Sequence, residues 1–453
     1  MATDKTKNIK PEYSNSNDWD LYSSHLAEEY EQSVDEGLDI EKYKEIFSAV
    51  SNLPAGEEKV KFGDIIFEIV SNANQKEDYP YNEPSSLEEI KALRKPYKSG
   101  KNNTLSTEDK IQGAWMGRIC GCLLGKTVEG IRTDEFLPFL QETNNYPMHR
   151  YILKSDLNDE IINKYKFGFK YQFYADGIDG MPIDDDTNYM VLYQEIIEKY
   201  GRDFTPDNIA RAWLDYQPKK AYFTAEQVAF CNFIRGYAPP CSAIYKNPFR
   251  EWIGAQIRAD YFGYINPCKP EIAAEMAWRD ASISHTKNGI YGEMFVAAML
   301  AIAAETNNIP DIIRGGLAEI PHTSRLYEEI NFILESFENS VAKEEVFRII
   351  HEKYDEHSGY GWCHTISNAM IVAAALLYGG GDYGKSICMA VETAFDTDCN
   401  GATVGSILGM ANGINSIPEY WTKPLNDTLY TSIFGVGTVK ISDRIKLTLK
   451  HIG

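Results

Sequence analysis

Two groups of aspartates stand where helices are predicted to begin. Residues 184–187 read DDDT ahead of a helical pattern over 190–200, and Asp396 and Asp398 precede a glycine-spaced segment. Carboxylates at a helix start satisfy free N–H groups and face the positive end of the helix dipole, so both groups can be helix caps. One or two acids suffice for a cap, whereas three adjacent carboxylates repel one another, and a hard cation would relieve that repulsion. The two groups together favour a shared cation site more than either does alone.

Glycines recur at intervals of four residues in the segment IQGAWMGRICGCLLGKTVEG, at Gly113, Gly117, Gly121 and Gly125. On a helix this spacing makes one smooth stripe, against which another backbone can pack closely. Each glycine lowers helix stability by ~1 kcal/mol, so four in one helix need a packing reason. A second ladder follows Asp398, at Gly401, Gly405 and Gly409. Glu129 lies just past the first stripe in a predicted turn, where taken alone it would be a surface glutamate.

Residues 379–386, GGGDYGKS, satisfy the nucleotide-binding pattern GxxxxGK[ST] letter for letter. A P-loop follows a buried strand, and a second strand ending in aspartate helps to hold Mg²⁺. Here the preceding segment AMIVAAALLY has an alanine-rich helical pattern, and no strand–helix alternation surrounds it. We therefore predict a loop between two helices, with glycines ending the first of them.

The elements that position these residues are predicted to be helices. Ser106 can cap a helix whose third residue is Asp109. Helical spacing of apolar residues recurs over 190–200, 271–281, 290–306, 324–337, 341–354, 366–378, 385–394 and 401–412. Almost no segment alternates with a period of two residues. The sequence predicts an all-α domain over residues 105–453, preceded by an acidic, mainly helical extension and linker over residues 1–104.

Composition limits the classes of partner. The 453 residues are 43% hydrophobic, and 45 basic side chains stand against 66 acidic ones, for a formal charge of −21. Such a chain can build a sizeable core but repels phosphate backbones, so we expect no nucleic-acid-binding surface. Residues 1–100 hold 12 basic and 21 acidic side chains. We expect them to form solvated helices, an appendage or interaction surface without catalytic residues.

Cysteines and apolar segments indicate the compartment. The eight cysteines include no CxxC pair, which favours free thiols in a reducing compartment. The first 20 residues lack the apolar region of a signal peptide. The longest apolar runs, 294–304 and 369–378, are too short to span a bilayer and suit buried helices. We expect a cytoplasmic monomer that does not bind membranes.

Taken together, these motifs resemble the ADP-ribosylglycohydrolase family, which includes the dinitrogenase reductase-activating glycohydrolase. The resemblance covers about residues 106–415, with three motifs in the family's order. The glycine ladder running into Val128 and Glu129 resembles the family's opening helix and Gly-x-Pro-Val-Glu loop. The DDDT segment resembles [Ser/Thr]-Asp-Asp-Thr, and Asp396-x-Asp398 resembles the C-terminal Asp-x-Asp-Thr. Weaker matches are Ser284-His285 and the segment 232–242.

The resemblance implies a helical domain with a site for one or two Mg²⁺ or Mn²⁺ ions. It implies hydrolysis at the anomeric carbon of ADP-ribose, with an ADP-ribosylated protein or a small ADP-ribosyl compound as the partner. The implied metal ligands are Asp184, Asp185, Asp186, Asp396 and Asp398. The candidate catalytic residues are Glu129, Asp185 and Asp186, and the sequence does not choose the base among them. The residues implied to line the ADP-ribose pocket are Asn232, Gly236, Ser242 and His285.

The sequence also departs from the family pattern. Thr127 replaces the loop proline, Asp184 stands where Ser or Thr is usual, and residues 394–395 replace glycines. Cys399 takes the place of a metal-ligating threonine, and a thiol is a poor ligand for Mg²⁺. One metal position is therefore predicted to be weak, altered in identity or empty. Alternatives left open are a hydrolase of other N-ribosyl compounds such as nucleosides, and a catalytically weak ADP-ribose-binding protein.

Overall fold

The computed structural model describes residues 12–13 and 18–453 of the chain. In this part of the chain the N-terminal extension forms four helices: α1 Leu26–Asp35, α2 Lys44–Ser51, α3 Glu57–Ser71 and α4 Leu87–Ala92. Most of the segment used to argue against a signal peptide, namely residues 1–11 and 14–17, lies outside the described residues. Residues 93–106 then connect the extension to the main domain without a helix.

The main domain is built almost entirely of helices, as the sequence predicts. Its first nine are α5 Thr107–Lys126, α6 Thr133–Glu142, α7 Asp159–Lys164, α8 Asp185–Tyr200, α9 Pro206–Tyr216, α10 Thr224–Ile234, α11 Cys241–Ile244, α12 Asp260–Tyr264 and α13 Pro270–Ala281. The others are α14 Lys287–Ala303, α15 Ile309–Leu317, α16 Arg325–Glu338, α17 Lys343–Lys353, α18 Thr365–Tyr378, α19 Tyr383–Glu392, α20 Thr397–Asn412, α21 Glu419–Thr422 and α22 Ile441–His451. Two short antiparallel strands, β1 Thr428–Tyr430 and β2 Thr438–Lys440, pair with Leu429 opposite Val439.

The helix ranges predicted from the sequence agree closely with the helices of this domain. Each of the eight predicted ranges falls on a helix of the structure: α8, α13, α14, α16, α17, α18, α19 and α20. The Asp109 backbone N–H donates to Ser106 Oγ at 3.1 Å, which confirms the predicted cap of α5. The apolar helices α14 and α18 are buried along nearly their whole length. Among the described residues, no helix combines the length and apolar character that a membrane span requires.

The GxxxxGK[ST] match lies in a loop between two helices. It follows α18 rather than a strand, and Asp382 caps α19 by accepting from the Lys385 backbone N–H at 2.7 Å. A P-loop needs its glycines at the end of a buried strand, so that backbone N–H groups can surround a phosphate. The structure confirms the prediction of a loop between two helices.

The two glycine ladders pack directly on each other. A Cβ atom added to Gly117 would lie 2.2 Å from the Gly405 carbonyl oxygen, and one added to Gly121 would lie 2.0 Å from that of Gly401. The helices run antiparallel, so the C-terminal end of α5 meets the N-terminal end of α20, where Gly125 faces Thr397. This contact places the loop containing Glu129 beside the second aspartate group.

The N-terminal extension is attached to the main domain through buried ion pairs. Arg250 Nη1 lies 2.9 Å from Glu29 Oε1, and its Nε lies 2.6 Å from Glu36 Oε1. Arg325 Nη2 lies 2.9 Å from Glu83 Oε2. The three glutamates are buried, so the expectation of solvated acids is wrong for them. Removing one partner of such a pair would leave a buried, unpaired charge, so each pair couples the position of the extension to that of the main domain.

Candidate metal centre

A cavity of about 440 Å³ lies where the N-terminal ends of α8 and α20 meet the C-terminal end of α5. Acidic side chains line it: Glu129, Asp184, Asp185, Glu226, Asp396 and Asp398. The glycine contact between α5 and α20 fixes the base of the cavity. Two helix N-termini thus point at one acidic pocket of the size that small-molecule sites have.

Four aspartates from the two groups converge at the base of this cavity. One carboxylate oxygen from each of Asp184, Asp185, Asp186 and Asp398 lies within 4.8 Å of the others. A Cys399 Sγ also lies within 4.8 Å of an oxygen of Asp186 and of Asp398. The structure therefore brings together residues that are more than two hundred positions apart in the sequence.

Two other predicted site residues share the cavity without joining that cluster of oxygens. Asp396 accepts a hydrogen bond at Oδ2 from the Cys363 thiol at 3.4 Å. Glu129 is exposed to solvent and lines the same cavity. Because these two carboxyl groups border the cluster, they face whatever the cavity binds.

Crowding of carboxylates raises their pKa values. Burial is the main reason that the pKa values of Asp185 and Asp186 lie well above the ordinary value. Burial, followed by the charge of Asp184, raises the pKa of Asp398 to about 6. The Asp398 carboxylate, together with burial, raises the pKa of Glu129. Burial and the neighbouring negative charges both raise these pKa values, and a bound cation would offset the effect of the charges.

Two basic side chains, the buried Arg118 and the partly exposed Lys126, already offset part of that charge. Lys126 Nζ lies 2.8 Å from Asp184 Oδ2. Arg118 Nη2 lies 2.8 Å from Asp186 Oδ1, and its Nη1 lies 2.8 Å from Asp260 Oδ2. The sequence predicts no role at the site for either residue. Their helical positions offered a signal, since both lie on α5 close to the glycine stripe that ends at Gly125, just before Glu129.

The remaining oxygens fit a divalent cation. Asp186 Oδ2 and Asp398 Oδ1 are buried, and neither has a hydrogen-bond partner in the described part of the chain. Buried polar atoms are rarely left in this state unless they serve a ligand or an ion. Carboxylate oxygens suit Mg²⁺ and Mn²⁺, whereas the adjacent Cys399 is a softer ligand. The chain's own residues can therefore hold a metal ion between Asp186 and Asp398.

The residues predicted to bind ADP-ribose do not line this cavity. Asn232 Nδ2 donates to the backbone carbonyls of Ser242 and Tyr245 at 2.9 and 2.8 Å. Ser242 Oγ donates to the Ile283 carbonyl at 2.7 Å. Gly236 adopts a positive φ of 91° in the turn after α10. In the structure these side chains hold the 235–245 loop in place.

His285, the fourth predicted pocket residue, is buried beside Ser284, whose hydroxyl lies 2.8 Å from its Nδ1. Burial, and then the Arg258 charge, hold the pKa of His285 well below its usual 6.5. The folded protein keeps this ring neutral at pH values where the unfolded chain protonates it. We therefore expect its contribution to lower the free energy of unfolding by up to about 1.4 kcal/mol per pH unit as pH falls below about 6.5.

Denaturant unfolding of the wild type and of His285→Gln between pH 7 and pH 5 measures this contribution. The variant should show a shallower loss of stability with acid. A control variant, His149→Gln at an exposed position, should keep the wild-type slope. Equal slopes in all three proteins would show that His285 is not the titrating group.

The wall of the cavity includes a residue from the N-terminal extension. Trp19 lines the cavity together with the half-exposed Phe223. Its ring stacks on His25 with centroids 5.4 Å apart and meets the edge of Phe249 at 5.5 Å. The neighbouring Asp20 pairs with Lys219 at 2.6 Å. The sequence predicts no ligand-facing residue in this segment, because a lone tryptophan among acidic residues carries no spacing signal.

The fold and the cavity define an all-helical protein with an acidic candidate metal centre at two helix N-termini. A family model for ADP-ribosylglycohydrolase matches residues 103–446, and the chain therefore belongs to the ADP-ribosylglycohydrolase family. The resemblance inferred from the motifs is confirmed by this match. Membership implies glycosyl hydrolase activity in general.

One solved structure, an ADP-ribosylglycohydrolase-related protein complex, is similar to this chain at 16% identity. The alignment covers 76% of this chain and 97% of that chain, with a TM-score of 0.44. No curated protein matches the chain in sequence. The assignment to the family therefore rests on the match over residues 103–446.

Proposed function

We propose that this protein is a divalent-metal-dependent hydrolase that cleaves the glycosidic bond at the anomeric carbon of ADP-ribose. The bond would join ADP-ribose to a protein side chain or to a small compound. The observation that carries the proposal is the convergence of Asp184, Asp185, Asp186 and Asp398 at the base of one cavity, in a chain of this family. Asp396 and Glu129 border the same cavity.

The chemistry suits this arrangement of carboxylates. Cleavage of a ribosyl bond passes through an oxocarbenium-like state, whose positive charge nearby carboxylates stabilise. When bound, a divalent ion supplies a coordinated water of lowered pKa and orients the ribose hydroxyls. Glu129 is the best placed of the candidate bases, because it borders the cluster of aspartates and keeps open contact with the cavity. Its role is to accept the proton of the attacking water.

The rest of the cavity supports a ligand that carries phosphate. Lys220 lines it and offers positive charge for a pyrophosphate in a region that is otherwise acidic. Trp19 and Phe223 provide aromatic surface on the same wall. Its volume of about 440 Å³ lies within the range of sites for such ligands.

A substrate panel tests the proposal. Purified protein with Mg²⁺ or Mn²⁺ is incubated with arginine- and serine-ADP-ribosylated peptides, a small ADP-ribosyl compound and free nucleosides, and products are separated by chromatography. We expect release of ADP-ribose from at least one ADP-ribosyl substrate and its loss in Asp185→Asn. Faster turnover of nucleosides would instead favour hydrolysis of another N-ribosyl compound.

A second candidate function is ADP-ribose binding with little catalysis. The observations that favour it are the Lys126–Asp184 ion pair and the thiol of Cys399 within the candidate metal centre. The Lys126 ammonium group and the Cys399 thiol occupy space that oxygen ligands of an ion would otherwise use. Calorimetry that shows micromolar ADP-ribose binding, without turnover of any member of the panel, would support this function over the first.

Trp19 is predicted to contribute to ligand affinity. Stacking of a nucleotide base on an aromatic side chain is worth ~1–3 kcal/mol, so Trp19→Ala should weaken ADP-ribose binding by about fivefold or more. Trp19→Phe should retain most of the affinity. Phe62→Ala, which removes an exposed aromatic ring elsewhere in the extension, is the matched control. If calorimetry gives an unchanged dissociation constant for Trp19→Ala, the extension does not contribute to the binding site.

A further inference from the structure

We propose that the centre takes a single divalent cation, held on the Asp186 and Asp398 side, and that the Lys126 ammonium permanently supplies the positive charge at Asp184. This inference rests on the proposed metal dependence and adds to it the number of ions and the residue that sets this number. Lys126 lies at the last position of α5, immediately before the loop that carries Glu129.

The backbone at Lys126 is fixed by the packing of α5 against α20. A Cβ atom added to the preceding Gly125 would lie 2.1 Å from the Thr397 carbonyl oxygen. Lys126 therefore cannot move away from α20 unless the helix contact opens. Its side chain is 16% exposed and extends into the cluster, with Nζ 2.8 Å from Asp184 Oδ2.

Both oxygens of Asp184 are already engaged. Oδ1 accepts from the Asp186 backbone N–H at 2.9 Å, as a cap of α8, and Oδ2 accepts from Lys126. Asp186 Oδ2 and Asp398 Oδ1, in contrast, have no hydrogen-bond partner among the described residues. The buried oxygens that remain free for an ion thus belong to Asp186 and Asp398 rather than to Asp184.

Charge repulsion excludes a second ion beside Lys126. Lys126 Nζ lies 2.8 Å from Asp184 Oδ2, so an ion coordinated by Asp184 would be only a few ångströms from the ammonium group. At that distance in a buried site, like charges repel strongly. The additional carboxylate at position 184 and the lysine at position 126 therefore form a charge-compensated pair that takes the place of an ion.

Metal stoichiometry of the full-length protein tests this inference without any substrate. Chelator-stripped protein is titrated with Mn²⁺ by calorimetry, and the bound ions are examined by electron paramagnetic resonance. We expect one Mn²⁺ per chain with the spectrum of an isolated ion. Lys126→Met keeps an unbranched side chain, one atom shorter, and removes its charge, and this variant should bind a second Mn²⁺ with spin coupling between the two ions.

The matched control is Lys353→Met, because Lys353 is also the last residue of a helix and also pairs with a carboxylate, that of Glu329. It should bind one Mn²⁺, like the wild type. Lys126→Gln provides a second variant in case Lys126→Met does not fold.

Two outcomes would overturn the inference. Two coupled ions in the wild type would show that Lys126 does not displace an ion, while leaving the proposed metal dependence intact. A single ion in both folded Lys126 variants would show that another feature limits the number. Failure of the wild type to bind any Mn²⁺ would instead contradict the proposed function itself.

Discussion

Asp398→Asn is expected to lower the rate of ADP-ribose release by about a thousandfold or more while the protein still folds. The substitution keeps the shape of the side chain but removes a charged oxygen from the cluster formed with Asp184, Asp185 and Asp186. Loss of a metal-binding carboxylate removes both the ion's charge and the activated water, and losses of this size follow from such changes. Initial rates of ADP-ribose release with saturating Mg²⁺ or Mn²⁺ provide the measurement.

Asp207→Asn is the matched control for this substitution. Asp207 is the second residue of α9, as Asp398 is the second residue of α20, but its side chain is exposed on the surface. Both changes remove a charged acid from the first turn of a helix, but only the variant at the centre should lose activity. Activity within threefold of wild type in Asp398→Asn would show that this carboxylate does not belong to the active centre.

Gly117→Ala is expected to destabilise the protein by about 3 kcal/mol or more, or to prevent folding. Alanine favours a helix by ~1 kcal/mol over glycine, so helix propensity alone predicts the opposite sign. The added Cβ would lie 2.2 Å from the Gly405 carbonyl oxygen, a distance that forces α5 and α20 apart. Because both helices are buried here, neighbouring elements must move with them.

Thermal and denaturant unfolding of soluble protein measure this effect. Gly168→Ala is the control, since a Cβ atom at that position would first meet another atom at 3.6 Å, an ordinary contact. Its stability should stay within about 0.5 kcal/mol of wild type. A stable, fully active Gly117→Ala protein would mean that the two ladders do not pack as closely as the structure places them.

The fold was largely predictable because its signal is periodic. Eight predicted helices fall on helices of the structure, and the ladder starting at Gly113 correctly predicted close backbone packing. The sequence alone did not identify the partner of that stripe. The pairing of the two ladders depends on the path that the chain takes through the helices between α5 and α20. That path is a tertiary property, which the local spacing of residues does not encode.

The candidate site was predictable only in part, for a related reason. Runs of aspartate at helix starts are unusual and were found, whereas Lys126 and Trp19 are single residues whose importance comes from distant neighbours.

Departures from the family motif also acquire physical meaning only in the structure. Ala394 and Phe395, which replace glycines, adopt positive φ values of 61° and 60°, so the backbone keeps the conformation that glycine favours. The turn before Asp396 is thus preserved despite the change in sequence.

The role of the extension could not be derived from its acidity. Net charge indicates solubility but not which individual acids become buried. Glu29, Glu36 and Glu83 are buried because Arg250 and Arg325 of the main domain bind them. Those arginines carry no sequence signal that links them to a segment more than two hundred residues away. The extension therefore belongs structurally to the domain whose cavity it helps to line.

Metal dependence of ADP-ribose release is the most direct measurement of the proposed function. Wild-type protein is stripped with chelator, assayed on an ADP-ribosylated peptide and assayed again after Mg²⁺ or Mn²⁺ is restored. We expect release to fall below about 1% of the initial rate in the stripped protein and to recover with the added ion, because the aspartate cluster cannot stabilise the reaction without it. Release at an undiminished rate in the stripped protein would show that the converging aspartates act without a metal ion, and the proposed function would be wrong.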